Sequence, residues 1–283
     1  VEPNEILFEQ TSKKITFKVQ RYSPGKDQAP HLQEYSFPVA SGMTILDCLI
    51  YIKEKIDPTI SFRASCRMGI CGSCGMLING FPRLACQTQS FSLESDVIEI
   101  KPLPNYPIIK DLVPDLTPMF LKHKSVKPYI IRKDKEEMEN PTREYSQTPR
   151  ELEDYLQFAY CLKCGICLAA CPTVATDRNF FGPQALAQAF RYNSDTRDDA
   201  REERTRIVDN AHGMWRCHMA GACAEACPKG VDPAMAVQLL KRQTASAVLG
   251  LRKKRQPARV VAAPTAVTPR PGVPKAPEPT IGK

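Results

Sequence analysis

The chain has 283 residues, 42% of them apolar, a length for about two small domains with modest cores. Its net charge of +8 is uneven: from Leu251 onward eight Lys or Arg face one acid, Glu278, so the first 250 residues carry only +1. No apolar run approaches the ~18 residues of a spanning helix, no signal peptide opens the chain, and no aromatic residues interleave with the basic cluster, so membrane attachment is expected through a partner and nucleic-acid binding is not expected.

In chain order, Ile15–Val19 alternates apolar and polar residues as a half-buried strand does, Pro24-Gly25 turns the chain, and His31–Val39 reads as its partner. A helix follows over Thr44–Ile52, capped by Ser41 or Thr44 and ended before Asp57-Pro58. Met76–Ile78 and Phe81–Leu84 flank Asn79-Gly80, a type I′ hairpin signal, and Val97–Ile100 supplies a last strand. This order is β-grasp-like. Pro102–Pro118 reads as a proline-punctuated linker, Met119–Ile131 as helix in pieces broken at Pro128, and Lys133–Pro149 as a charged surface excursion. From Pro149 the periodicity is helical: one helix delivers Cys161, and others are predicted over Gln184–Tyr192, Asp198–Asn210 and Ala234–Leu249, the last with Asp232 as N-cap and Pro233 at N1. The fold class is therefore α+β. The predicted boundaries are 1–104, a linker and excursion over 105–150, an all-helical domain over 151–250, and a tail over 251–283. The Pro- and Ala-rich tail cannot build a core and is expected to be disordered. Its basic head, Arg252-Lys253-Lys254-Arg255, is either simply solvated or touches anionic lipid beside a membrane partner.

Eleven of the twelve cysteines fall into three groups. In the first, CRMGICGSC brings Cys66, Cys71 and Cys74, with Cys86 beyond, the C-x4-C-x2-C spacing of a plant-type [2Fe–2S] centre. Gly69, Gly72 and Gly75 let backbone N–H groups approach the sulfurs. The second run, Cys161, Cys164, Cys167 and Cys171 followed by Pro172, has cubane spacing, and the third repeats it as Cys217, Cys223 and Cys227-Pro228. Disulfides fit neither the spacing nor the domain size, and zinc would need neither the repeat nor the proline. Cys48 lies on the apolar stripe of a helix and reads as an ordinary buried thiol.

In a two-cluster ferredoxin arrangement each run gives three ligands locally and one remotely. Cys161, Cys164, Cys167 and Cys227 then hold a [4Fe–4S] cluster, and Cys171, Cys217 and Cys223 hold the other. The position that would complete the third run is Ala220, whose side chain cannot bind iron. A [3Fe–4S] cluster is the natural occupant, with water or another ligand completing a fourth iron as the alternative.

The stretch SFRASCRMGICGSCGMLINGFPRLAC and the two later runs resemble the iron–sulfur subunit of succinate dehydrogenases and fumarate reductases, over roughly residues 1–245. The resemblance implies a plant-type ferredoxin domain followed by a bacterial-type two-cluster domain. It also implies a flavoprotein partner with FAD and the substrate site, membrane anchor subunits, often with haem, and peripheral attachment to the cytoplasmic face of the cell membrane. Succinate oxidation with electron delivery to quinone is the leading expectation, fumarate reduction the same wiring reversed. A free multi-cluster ferredoxin and the subunit of another flavin-linked oxidoreductase are less favoured; the CCG modules frequent in the latter are absent. The resemblance places Pro172 and His218 along the quinone approach; by chemistry alone His218 could donate a hydrogen bond, titrate or cap a turn. Thr173–Thr176 stands where ubiquinone-using members carry tryptophan, and the sole tryptophan, Trp215, precedes Cys217 and is expected near the quinone, which favours menaquinone. Met68 replaces a glutamate found in many relatives.

Overall fold

The computed structural model describes residues 12–251 and 259–262. Strand β1 (Ser12–Arg21) pairs antiparallel with β2 (His31–Ala40) and parallel with β5 (Val97–Lys101), and β3 (Gly75–Ile78) joins β5 to β4 (Phe81–Leu84), giving the order β2-β1-β5-β3-β4. The alternation read from the sequence is the burial pattern observed: Ile15, Phe17 and Val19 face Tyr35, Phe37 and Val39 on the covered side. Helix α1 (Ile45–Tyr51) lies in the same core through Leu46, Cys48 and Leu49. Thr44 is its N-cap, in a capping box with Asp47, and the helix widens into a π turn before Asp57. Asn79 and Gly80 both take positive φ, 48° and 77°, as a type I′ turn requires.

The segment predicted as a linker is ordered. It forms a short hairpin, β6 (Ile108–Lys110) with β7 (Val113–Pro114), and buries Leu103 and Leu112 in the first core. Asp111 anchors it: its carboxylate accepts from the Tyr22 and Ser61 backbone N–H groups and from Arg21 Nε. Helix α2 (Thr117–Ser125) stops earlier than predicted, because Pro128 disfavours helical backbone at Lys127, which adopts φ +49°. The charged excursion holds α3 (Lys135–Glu139) and β8 (Arg143–Ser146). The strand's partner is β9 (Arg259–Ala262), so the expectation of a disordered tail does not hold for those four residues, which backbone pairing places beside β8. The basic head at 252–255 lies outside the described residues.

Over 151–250 the described elements are helical. The single helix predicted before Cys161 is two, α4 (Pro149–Glu153) and α5 (Leu156–Ala159), because Tyr155 leaves helical geometry to turn inward and donate to Gln147 Oε1 at 2.6 Å. Short helices α6 (Ile166–Ala169), α7 (Pro172–Thr176) and α10 (Ala222–Glu225) form inside the cysteine runs. At the centre α8 (Gly182–Ser194) packs against α11 (Pro233–Val248), α9 (Arg201–Val208), α2 and α5. Asp232 caps α11 by accepting from Met235 N at 2.9 Å. Among the described residues no helix is long and apolar enough to cross a membrane.

The two halves meet at the cysteines. Asn105 donates to the Leu168 and Ala169 carbonyls, the Tyr106 hydroxyl donates to Gly165 O at 3.0 Å, and Ile166 and Ala169 enter the first core.

Candidate metal centres

The loop between α1 and β3 wraps its backbone around sulfur. The N–H groups of Met68, Ile70 and Cys71 all donate to Cys66 Sγ, at 3.4, 3.3 and 3.3 Å, and Ser73 N–H donates to Cys71 Sγ at 3.5 Å. Positive φ at Arg67 and Gly69 turns these donors to one side, which suits a charged thiolate rather than a packed thiol. Cys71 is exposed, and hydrogen bonds from Ser73, then from Cys66, pull its thiol down to about 6. Cys74 is buried beside Cys86, and burial pushes its thiol up to about 12. The loop thus presents an activated thiolate on its rim and, inside, the buried Cys74 thiol, which ionises only against a compensating cation. Since a thiol with lowered pKa is ionised above that value, alkylation of the cluster-free protein should be fastest at Cys71 and should rise through a midpoint near pH 6. Burial pushes Cys48 up to about 12, so that thiol should stay unlabelled at neutral pH. Peptide mass mapping across pH checks both, and equal labelling of the two would contradict them.

The two later runs repeat one local geometry. Lys163 and Met219 have φ +57° and +60°, Gly165 and Gly221 have +84° and +76°, and each pair opens a four-residue helix ending at a Cys-Pro. In this repeat Ala220 occupies the place of Cys164. Helices α6 and α10 pack together, so each Cys-Pro reaches into the other run's cavity. Cys161, Cys164, Cys167 and Cys227 line one small cavity. Cys171, Cys217 and Cys223 line a second, with Pro172, His218 and Ala220. Burial and then the neighbouring thiols raise Cys164 to about 11, with Cys161 and Cys227 acting on it. Cys223 is pushed up to about 12 by burial, then by Cys171 and Cys217. All-sulfur sets in largely apolar cavities fit iron–sulfur clusters, whose cationic iron relieves thiolates that would otherwise repel one another. Among the described residues no three His, Cys, Asp or Glu side chains converge on a single-ion site.

Trp215 is not part of the second cavity's lining. It lies half-exposed on the turn before Cys217, its indole N–H donating to Asp209 Oδ1 at 2.6 Å and its ring under the Lys241 ammonium. Two contacts that the motifs do not show also reach the centres. Gln184 lines the four-cysteine cavity from α8, and Gly72 brings the first loop against the second run. A Cβ on Gly72 would sit 2.5 Å from Cys164 Cβ, at a φ of +74° that L side chains rarely adopt. Gly72→Ala should therefore cost at least about 1–2 kcal/mol from backbone strain alone and part the first loop from Cys164. Lower [2Fe–2S] occupancy with intact four-iron content would show it, and full occupancy of all centres would refute it.

Comparison with known proteins agrees with this layout. A family model described as a 2Fe-2S iron-sulfur cluster binding domain matches residues 16–121, and one described as a 4Fe-4S dicluster domain matches residues 157–231. The fumarate reductase iron-sulfur subunit of Mycobacterium tuberculosis is 44% identical over 236 residues, covering 83% of this chain and 95% of that protein. The succinate dehydrogenase iron-sulfur subunit of Paracoccus denitrificans is 39% identical over 227 residues, covering 80% and 86%. In fold, a chain of the Mycobacterium smegmatis Sdh1 complex in the apo form superposes with a TM-score of 0.75 at 24% identity, over 84% of this chain and 98% of that one. With two cluster-binding domains in this order and such relatives along most of its length, the chain belongs to the iron–sulfur subunits of the fumarate reductase and succinate dehydrogenase family.

Proposed function

We propose that this chain is the electron-transfer subunit of a membrane-bound succinate:quinone oxidoreductase, linking the FAD of a flavoprotein partner to quinone at a membrane anchor. The two interleaved cavities, one ringed by four cysteines and the other by three and Ala220, carry this reading. In it Cys66, Cys71, Cys74 and Cys86 hold [2Fe–2S], Cys161, Cys164, Cys167 and Cys227 hold [4Fe–4S], and Cys171, Cys217 and Cys223 hold [3Fe–4S]. Bound clusters supply sites that take up and release single electrons. The chain's residues do the rest: backbone N–H groups around Cys66 offset negative charge, apolar cavity walls exclude water, and the Gly72–Cys164 contact keeps two centres close. The domain division is read as 1–104 and 151–250, joined by the ordered segment between.

Pro172 and His218, beside the three-cysteine cavity, face the quinone side in this reading, with menaquinone favoured because Thr173–Thr176 brings no tryptophan there. The anchor, with or without haem, holds the subunit at the cytoplasmic face of the membrane, the basic head at 252–255 adding attraction to anionic lipid. In direction, succinate oxidation leads in this reading and fumarate reduction is the same wiring reversed; relatives of both names, at 42–44% and 38–39% identity, do not separate the two.

Low-temperature EPR on the native assembly tests the proposal. An oxidised three-iron signal that vanishes on adding succinate, as a [2Fe–2S] signal grows, is expected. If succinate leaves every cluster oxidised while menaquinol reduces them and fumarate reoxidises them, the direction is reversed. The absence of a three-iron signal would overturn the assignment to Cys171, Cys217 and Cys223.

Met68 bears on the first centre. It is 68% exposed, and its N–H donates to Cys66 Sγ. A carboxylate there would disfavour the reduced, more negative centre by about 0.5 kcal/mol at ~8 Å in water, or roughly 20 mV. Met68→Glu should lower the [2Fe–2S] midpoint by that amount in a redox titration, and an unchanged or higher midpoint would contradict it.

A further inference from the structure

Gln184 sits near the start of α8, only 1% exposed, on the wall of the cavity that holds Cys161, Cys164, Cys167 and Cys227. Its amide nitrogen lies 3.0 Å from Nδ1 of His123, which reaches across from α2. Cys161 lines the same cavity wall. An amide nitrogen can only donate, so Nδ1 accepts and the ring proton sits on Nε2. His123 is suited to this. Burial and then the Lys163 ammonium, the charged group acting on it, hold its pKa below the ordinary histidine value, so the ring is neutral at neutral pH.

The other end of the amide is the telling feature. Gln184 Oε1 is buried with no hydrogen-bond partner among the described residues. A buried carbonyl left unpaired costs free energy, and an amide can exchange its two ends by a half-turn. The exchange would offer the oxygen to His123, but only if that ring moved its proton from Nε2 to Nδ1. With one N–H held by neutral His123, the amide keeps its second N–H for the cavity, where an anionic sulfur would accept it.

We infer that Gln184, oriented by neutral His123, is a positioning residue for the four-cysteine centre, aiming an N–H at the Cys161 sulfur and raising that centre's reduction potential. This rests on the reading of Cys161 as a ligand. Uptake of one electron adds one negative charge to the centre, shared by its ligating sulfurs. A donor aimed at one of them stabilises the reduced form more than the oxidised form. The fold gives the sequence no local reason for glutamine here. The position lies between Pro183 and Ala185 on a buried helix face.

The test is a redox titration of the complete membrane complex, isotopically labelled in iron and read by Mössbauer spectroscopy and EPR. Gln184→Met keeps the shape and removes both the donor and the orphaned oxygen. Its four-iron midpoint should fall, with iron content, thermal stability and the other two midpoints unchanged. Gln184→Glu, which adds charge, should lower the midpoint further. His123→Phe leaves the cavity wall intact but frees the amide, so it should lower the same midpoint part of the way, and His123→Asn, which retains an acceptor, should recover part of that fall. An unmoved four-iron midpoint in Gln184→Met at full iron content would overturn the inference, as would a common shift of all three centres, which marks general loosening. Should Gln184→Met fail to hold iron, His123→Phe decides by the same two criteria. A wild-type complex without a four-iron centre would instead overturn the ligand assignment, and the inference with it.

Discussion

Replacing Ala220 by cysteine is expected to add a fourth iron to the three-iron centre proposed for Cys171, Cys217 and Cys223. Residue 220 takes the place in the third run that Cys164 takes in the second, with matching left-handed backbone on both sides, Met219 with Lys163 and Gly221 with Gly165. It also lines the same cavity as the three thiols. A thiolate at that corner supplies both the missing ligand and one more negative charge, and cluster type and charge together span about 1 V of potential. A fall on the order of 100 mV is expected, which for one electron is roughly fifty-fold in equilibrium constant at 59 mV per tenfold. Electron delivery to quinone should slow accordingly. Iron counting, loss of the oxidised three-iron EPR signal and redox titration check it. If the iron content and the midpoint both stay where they are, residue 220 does not face the open corner.

The second large effect lies away from the metals. Arg204 and Asp198 are both fully buried, and the guanidinium meets the carboxylate through two nitrogens, each at 3.0 Å. Its remaining donors go to Asn193 Oδ1 and to the carbonyls of Val126 and Tyr129, while Asp198 also accepts from the N–H groups of Ile131 and Ala200. One side chain therefore ties α9 to α8 and to the irregular chain after α2. Arg204→Ala leaves a buried carboxylate uncompensated and should cost about 3–5 kcal/mol. Arg204→Lys keeps the charge but not the fork, and should recover only part of this. A double replacement, Arg204→Met with Asp198→Leu, should be more stable than Arg204→Ala, because it removes the stranded charge. Because bound clusters break two-state behaviour, the measurement is the yield of iron-loaded complex and its thermal inactivation. Equal stability of Arg204→Ala and wild type would show that the ion pair does not brace this region.

Much of the first half was legible before any coordinates. Period-two alternation, Thr44 with Asp47, and Asn79-Gly80 are local signals, and each sits where the chain must cap or turn. The cysteine runs were legible for a related reason: ligand spacing is a local geometric demand, and the Ala220 substitution shows against the repeat itself. The departures differ in reach. Tyr155 breaks a helix to reach Gln147, eight residues back, α2 stops before the break predicted at Pro128, and β8 finds its partner in the tail more than a hundred residues away.

The same division runs through the site. Spacing alone determined the three cysteine groups, their sulfur-only character and the missing fourth thiol, because coordination requires residues of one type at fixed short intervals. Which thiols are buried, which backbone donors surround Cys66, how Gly72 meets Cys164 and why Gln184 stands beside Cys161 were decided only by tertiary structure. Those features depend on dielectric, close approach and hydrogen bonds between segments far apart in sequence, and no pattern along the chain encodes the distance between residues 123 and 184.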